Sequence, residues 1–379
     1  MAKCWRFSMT NVAVQSWMFL LVTNFLLQSS ALSQSSSISH WTNELHALHQ
    51  HFPTLTSSTS SNSIIMDDAH DVTYLVNSPE VAKDYLSSFD TILFDCDGVL
   101  YRGSEPTPHA GNLIRWLMSQ NKRVFFVTNN SGKTRQELCQ KLSQLLKCPE
   151  LTEYQMVGSA FTCAKYLDTQ IRDINDSRRA HIYVIGSDSL CDEISRKGFV
   201  VVRDNDQSSG MTAEEIASIS DDDHTMIAAV VVGLDTTFNY KKLSMATYHL
   251  RSNPNCLFIV TNEDAYDIVA FDRYQPGNGC LVSAIEKASD RKATCIGKPS
   301  ELLLKVMVEE YGIHADTRKT LMVGDRIDTD IIFGRRGKLS TMAALTGCTT
   351  AQALIGLKNG PANQMPNVIV PYIGLALEC

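Results

Sequence analysis

Nine short runs rich in β-branched and aliphatic residues constrain this chain most, because they are continuous and not alternating: Thr91–Phe94, Arg123–Thr128, His181–Gly186, Ile227–Val232, Cys256–Thr261, Thr294–Gly297, Thr320–Gly324, Ser340–Leu345 and Asn367–Val370. A strand without a polar face cannot show one side to water, so such runs belong in parallel sheets covered on both faces. The intervening segments carry helical periodicity. Leu138, Leu142, Leu145 and Leu146 fall on one helix face, and Leu302, Leu303, Val306 and Val308 lead into Tyr311 and a glycine stop at Gly312. The expected class is α/β, a doubly wound parallel sheet, with no internal repeat. In such sheets ligands bind beyond the carboxyl ends of the strands, where loops enter helices.

Composition removes several classes of function. With 379 residues, 44% of them hydrophobic, the chain can bury a real core in one large or two modest domains. A formal net charge of -7 argues against a nucleic-acid partner, and the basic pairs Arg178-Arg179, Lys241-Lys242 and Arg335-Arg336 are scattered. No apolar run reaches the roughly 18–20 residues that span a bilayer. Eleven cysteines from Cys4 to Cys379 form no CxxC pair, which fits reduced, packed thiols in a cytoplasmic protein.

The amino terminus pulls the other way. Lys3 and Arg6 precede the apolar stretch Trp17 to Leu27, and Ala31 and Ser33 follow at cleavage-like spacing, a secretory pattern. No acidic residue precedes Glu44, so an organellar transit reading also stands. Against secretion, Asn129-Asn130-Ser131 would place a glycan acceptor among the candidate site residues. Thr56 to Ser63 is nearly pure Ser/Thr and reads as a linker, and Met66 is a candidate initiator. Residues 1–65 are therefore expected to be a signal-like or disordered extension.

The strand ends carry the chemistry. Strand one ends in Asp95-Cys96-Asp97-Gly98; positions i and i+2 share a face, so both carboxylates can enter one pocket while Cys96 turns away. Strand two ends in Thr128-Asn129-Asn130-Ser131-Gly132, a hydroxyl, amides and helix-start N–H groups suited to an anion. Further on, Thr294–Gly297 delivers Lys298 before Pro299, and Thr320–Gly324 delivers Asp325-Arg326-Ile327-Asp328-Thr329-Asp330. Each fragment alone is common in ordinary loops. The ordered set is the inventory that phosphoryl transfer to a carboxylate needs: oxygen ligands for Mg²⁺, a lysine and a hydroxyl for the phosphoryl charge, one Asp as nucleophile and another as acid and base.

These motifs resemble those of the haloacid dehalogenase superfamily of phosphatases, in the branch of phosphoglycolate, pyridoxal phosphate and 4-nitrophenyl phosphatases. The resemblance runs from about Asp71 to the carboxyl end. It is carried by FDCDGVLYRG (94–103), VTNNSGKTR (127–135), VVVGLDTTFNYKKL (230–243), IGKPS (296–300) and VGDRIDTDI (323–331). It implies Asp95 as nucleophile and magnesium ligand, and Asp97 as acid and base that lends its backbone carbonyl to the metal. It implies phosphate binding by Thr128, Asn129, Asn130 and Lys298, and Asp325 as a further metal ligand with Asp330 behind it. It also implies a Rossmann-like core at 66–165 and 281–379 and an inserted α/β cap of the C2 type at 166–280. The expected partner is a small-molecule phosphate ester, with pyridoxal phosphate or a phosphoprotein as alternatives, and a homodimer through the cap is possible. Thr237, Asp264, Tyr266 and Asp267 are candidate cap contacts to the leaving group. A phosphorylated receiver switch shares the Asp, Thr and Lys, but it has no counterpart of Asp97 and no room for a cap.

Overall fold

The computed structural model describes residues 44–45, 47–56, 72–171, 180–204, 210–219, 226–270, 273–358, 360–361 and 364–378. The signal-like stretch, residues 57–63 of the Ser/Thr run, Met66 and the Arg178-Arg179 pair lie outside the described residues. The described residues up to His51, helical at 44–45 and 47–49, belong to a unit separate from the rest. The unit from Phe52 onward carries the sheets and the site.

Two parallel sheets organise that larger unit. The first has seven strands in the order Tyr74–Leu75, Val368–Val370, Ser340–Ala344, Thr320–Gly324, Thr91–Phe94, Arg123–Thr128 and Met156–Gly158. Every neighbouring pair is parallel, as continuous apolar strands require. The second has five parallel strands in the order Thr294–Cys295, Leu257–Val260, Ile227–Val232, His181–Ile185 and Val200–Val202. The α/β class expected from the sequence is thus observed, and each of the nine runs contains a strand.

Packing follows from strand composition. In the first sheet Leu93, Phe125, Val127 and Met322 pack with Leu303, Met307 and Phe333 from neighbouring helices, all buried. In the second, Ile182, Val184, Val231 and Ile259 face one cluster, while Tyr183, Val230, Val232 and Phe258 face another. Strand residues of alternating parity thus bury both sheet faces. Burial of each such side chain contributes about 1.5–3 kcal/mol.

Register places the site. Phe94 lies opposite Phe126 on one side and Val323 on the other. The chain ends beyond these residues, at Asp95, Thr128 and Asp325, therefore emerge side by side on one edge of the first sheet. The chain carrying Lys298 leaves the second sheet at Thr294–Cys295, past residue 280 where the core was expected to resume. Helix ends behave as their residues dictate. Thr134 and Glu137 form a reciprocal capping box at the helix Arg135–Leu145, and the helix Glu301–Tyr311 stops at Gly312 with φ 58.

Candidate active site

The centre of the site is Lys298, buried to within 2% of full enclosure. Its ammonium contacts Asp95 Oδ1 at 2.5 Å and Asp330 Oδ1 at 2.7 Å, and donates to the Val127 carbonyl at 2.9 Å. Two hydrogen bonds, to Asp95 and the Val127 carbonyl, and an ion pair with Asp330 hold the ammonium. Burial alone would lower its pKa, but the Asp330 and Asp95 carboxylates outweigh burial and hold Lys298 above the ordinary lysine range.

Around the lysine stand three acids. Oxygens of Asp95, Asp325 and Asp330 lie within 4.8 Å of one another, and all three residues are buried. Burial pushes Asp95 well above the ordinary carboxylate range, opposed by Lys298 and reinforced by Asp330 and Asp325. Asp325 is pushed up to about 7 by burial and by Asp330. Its Oδ2 accepts from the Cys348 N–H at 2.6 Å, whereas Oδ1 is buried without a hydrogen-bond partner. Asp330 is fixed differently: its Oδ2 accepts from the backbone N–H groups of Asp325 and Arg326 at 3.1 and 3.0 Å. It braces the loop that presents Asp325.

This set fits a hard divalent cation. The donors are carboxylate oxygens, like charges crowd one buried spot, and Asp325 Oδ1 lacks any other partner. Two glycines make room: a Cβ on Gly347 would stand 1.7 Å from Asp325 Oδ2, and one on Gly98 2.4 Å from it. Gly98 also has φ 85, which a side chain would strain.

Asp97 is exposed toward the cleft, and Cys96 between the two acids is fully buried, as strand alternation demands. The Tyr101 hydroxyl donates to Asp97 Oδ2 at 2.9 Å, aiming the carboxylate. Thr128, Asn129 and Asn130 line the same cleft. The Thr128 hydroxyl accepts from the Asn130 N–H at 3.1 Å, and Asn130 Oδ1 accepts from the Gly132 N–H at 2.8 Å. Asn129 is a bracket between loops: Oδ1 accepts from the Lys298 N–H at 2.8 Å, and Nδ2 donates to the Lys298 carbonyl at 3.0 Å and to Asp264 at 3.3 Å. Its side-chain amide is thereby occupied within the protein.

The cleft has a volume of about 790 Å³, and Thr237, Asp264 and Asp267 also line it. Tyr266 does not. It is exposed, packs edge-on against Tyr274 at 5.2 Å, and has the Arg326 guanidinium 5.9 Å from its ring. Sequence reasoning missed Tyr101 and Asn262. Asn262 is buried and donates to the Asn129 carbonyl at 2.9 Å. Its signal was available, because Thr261-Asn262 follows an apolar strand just as Thr128-Asn129 does.

Comparison with known proteins agrees with this geometry. The family model described as haloacid dehalogenase-like hydrolase matches residues 92–200, and a second of HAD-hydrolase-like type matches 295–373. Phosphoglycolate phosphatase 2 of Arabidopsis thaliana is 34% identical over 277 residues, covering 73% of this chain and 89% of the relative. Glycerol-3-phosphate phosphatase of Rattus norvegicus is 38% identical over 282 residues, covering 73% and 84%. Among solved structures, a glycerol phosphate phosphatase of Mycobacterium tuberculosis in complex with magnesium aligns with a TM-score of 0.61 at 26% identity, covering 77% of this chain and 78% of that one. The chain belongs to the haloacid dehalogenase-like hydrolases.

Proposed function

We propose that this chain hydrolyses small-molecule phosphate monoesters through a phosphoryl group carried transiently on Asp95, with Mg²⁺ as cofactor. The enzyme is a phosphoric monoester hydrolase. One observation carries the mechanistic reading: Asp95, Lys298, Asp325 and Asp330 form one buried charge cluster, and Asp97 and Thr128 enter the cleft beside it.

The residues divide the work between two steps. A carboxylate oxygen of Asp95 attacks phosphorus, forming the P–O bond of an acyl phosphate while the bond to the leaving alcohol breaks. Asp97, held by Tyr101, gives its proton to the departing oxygen. Asp97 then takes a proton from a water whose oxygen attacks the same phosphorus. Asp95 leaves as a carboxylate, and inorganic phosphate is released. Lys298 keeps Asp95 oriented and compensates charge at the buried centre, and the Thr128 hydroxyl and nearby N–H groups face the phosphoryl oxygens. Asp95 and Asp325 would hold the cation, with the Asp97 carbonyl. When bound, it supplies positive charge against the phosphate and the attacking carboxylate.

Support for small substrates comes from the relatives, which are named for phosphoglycolate and glycerol 3-phosphate, and from a cleft of about 790 Å³ walled by both sheet modules. The test is a phosphate-release screen over small phosphomonoesters with Mg²⁺, run beside Asp95→Asn. The expected outcome is turnover by the natural enzyme and a loss of at least ~10³-fold in the variant. Unchanged turnover in Asp95→Asn would overturn the assignment of the nucleophile.

A further inference from the structure

The part of the cleft beside the charge cluster is unlike it. Asp264 follows the strand Leu257–Val260, and Asp267 sits in the hairpin strand Tyr266–Ala270 opposite Gln275; all three line the cleft. Neither acid has an ion pair within 4.0 Å among the described residues, and the hydrogen bond Asp264 accepts from Asn129 is long, at 3.3 Å. Burial raises the pKa of both, with Arg326 acting in opposition.

A second, independent feature lies on the same wall. Asn278 lines the cleft and is 1% exposed. Its Nδ2 donates to the Val232 carbonyl at 3.2 Å and the Asn262 carbonyl at 2.8 Å. Turning the amide over would set its oxygen against both carbonyls, so the orientation is fixed. Asn278 Oδ1 is then a buried acceptor without a donor. Such an atom carries the full desolvation cost of an unmade hydrogen bond until something donates to it.

The cations that line the cleft are committed elsewhere. Arg203 contacts Asp188 at 2.5 Å and the Gly186 carbonyl at 3.1 Å, and Arg326 spans Asp328 at 3.2 and 3.0 Å. Lys298 is held by Asp95, Asp330 and the Val127 carbonyl, and Arg102 reaches the Gly347 carbonyl at 3.4 Å. The wall therefore offers acceptors and negative charge.

We infer that Asp264, Asp267 and Asn278 receive a leaving group bearing hydrogen-bond donors and positive charge, so that the preferred substrate class is the phosphate monoester of an amino alcohol and not of a hydroxy acid. This inference rests on the phosphatase reading above. A second anion on the substrate would meet two carboxylates that Arg326, itself held on Asp328, offsets only from a distance beyond ion-pair contact, and like charges set together discriminate strongly.

O-phosphoethanolamine and phosphoglycolate form a matched test, since they are similar in length and opposite in the charge of the distal group. With Mg²⁺ present, kcat/KM should favour O-phosphoethanolamine by roughly tenfold, the effect of one favourable charge contact at the cleft wall. Glycerol 3-phosphate, a neutral donor, should fall between them. Asp267→Lys should invert the ratio and Asp264→Asn should narrow it, with thermal melts confirming that both variants fold. A natural enzyme that turns over p-nitrophenyl phosphate yet prefers phosphoglycolate would overturn the inference alone. So would a ratio that Asp267→Lys leaves unchanged. A natural enzyme inactive on p-nitrophenyl phosphate as well would defeat the phosphatase reading, and this inference with it.

Discussion

The two sides of the cleft handle charge in different ways: Asp95, Asp325 and Asp330 are buried, whereas Asp264 is half-buried and Asp267 exposed. In the charge cluster, Lys298 is matched to Asp95, Asp330 and the Val127 carbonyl, and Asp330 is matched again to two backbone N–H groups. At the end of the strand Leu257–Val260 and in the hairpin beyond it, Asp264 and Asp267 have no ion pair within 4.0 Å among the described residues, and Asn278 Oδ1 has no donor. Phosphoryl chemistry is the same for every ester, so its groups can be fully organised in advance. Recognition of the leaving group differs between esters, and its acceptors are completed by the substrate itself. Each side keeps an open acceptor, Asp325 Oδ1 in the cluster, where a cation would bind, and Asn278 Oδ1 on the other side, and the second is the place to look for specificity.

The contrast can be broken at the lysine first. Lys298→Met removes the cation from a cluster of buried carboxylates, and loss of one partner of a buried charge set costs about 3–5 kcal/mol. The variant should unfold at markedly lower denaturant concentration, and its kcat should fall by about two orders of magnitude or more. Stability within 1 kcal/mol of the natural chain would show that the cluster is not the coupled unit described.

Metal binding comes next. Asp325 sits at about 7 in the metal-free protein, and a cation binds its carboxylate form. Binding must therefore release a proton below that pH, and apparent Mg²⁺ affinity should fall toward tenfold per unit as pH drops from 7 to 5. Because the folded pKa lies above the unfolded one, the metal-free chain should lose stability from this group as pH rises from about 4 to 7. Calorimetric titration at several pH values checks the first, and melts with a chelator check the second. Affinity that is flat from pH 5 to 8 would contradict the placement of Asp325 at the metal.

The smallest effect belongs to the other wall. Asp264→Asn removes a charge that burial disfavours by more than Arg326 and Lys298 favour it, so stability should be unchanged or higher, within about 1 kcal/mol. A large destabilisation, comparable to that of Lys298→Met, would erase the distinction between the two walls.

Much of the site was legible in the sequence because the chemistry sits at strand ends and the strands are continuous apolar runs. Asp95, Asp97, Thr128, Lys298 and Asp325 could be named by their position after such runs, and register then brings them together. The expected glycine stop at Gly312 is present for the same local reason. Short strands such as Tyr74–Leu75, Met156–Gly158 and Val200–Val202 were not legible, since two or three residues carry no periodicity and form only against a neighbour already in place. The Asn129 side chain ties the 128–130 loop to Lys298, a contact across 169 positions that no local pattern announces. Tyr266 was expected in the cleft; hairpin pairing turns it toward Tyr274 instead. Asn278 gave no sign at all, because an unsatisfied acceptor is visible only once its other bonds are known.

The central claim is that Asp95 becomes phosphorylated during turnover. The most direct measurement uses Asp97→Asn with p-nitrophenyl phosphate, whose leaving group needs no acid, so that the first step proceeds and the hydrolytic second step stalls. Acid quenching followed by peptide mass spectrometry should find one phosphoryl group on the peptide containing Asp95, removable by hydroxylamine. A phosphoryl group on any other residue, or release of p-nitrophenol without phosphate ever residing on the protein, would contradict the account.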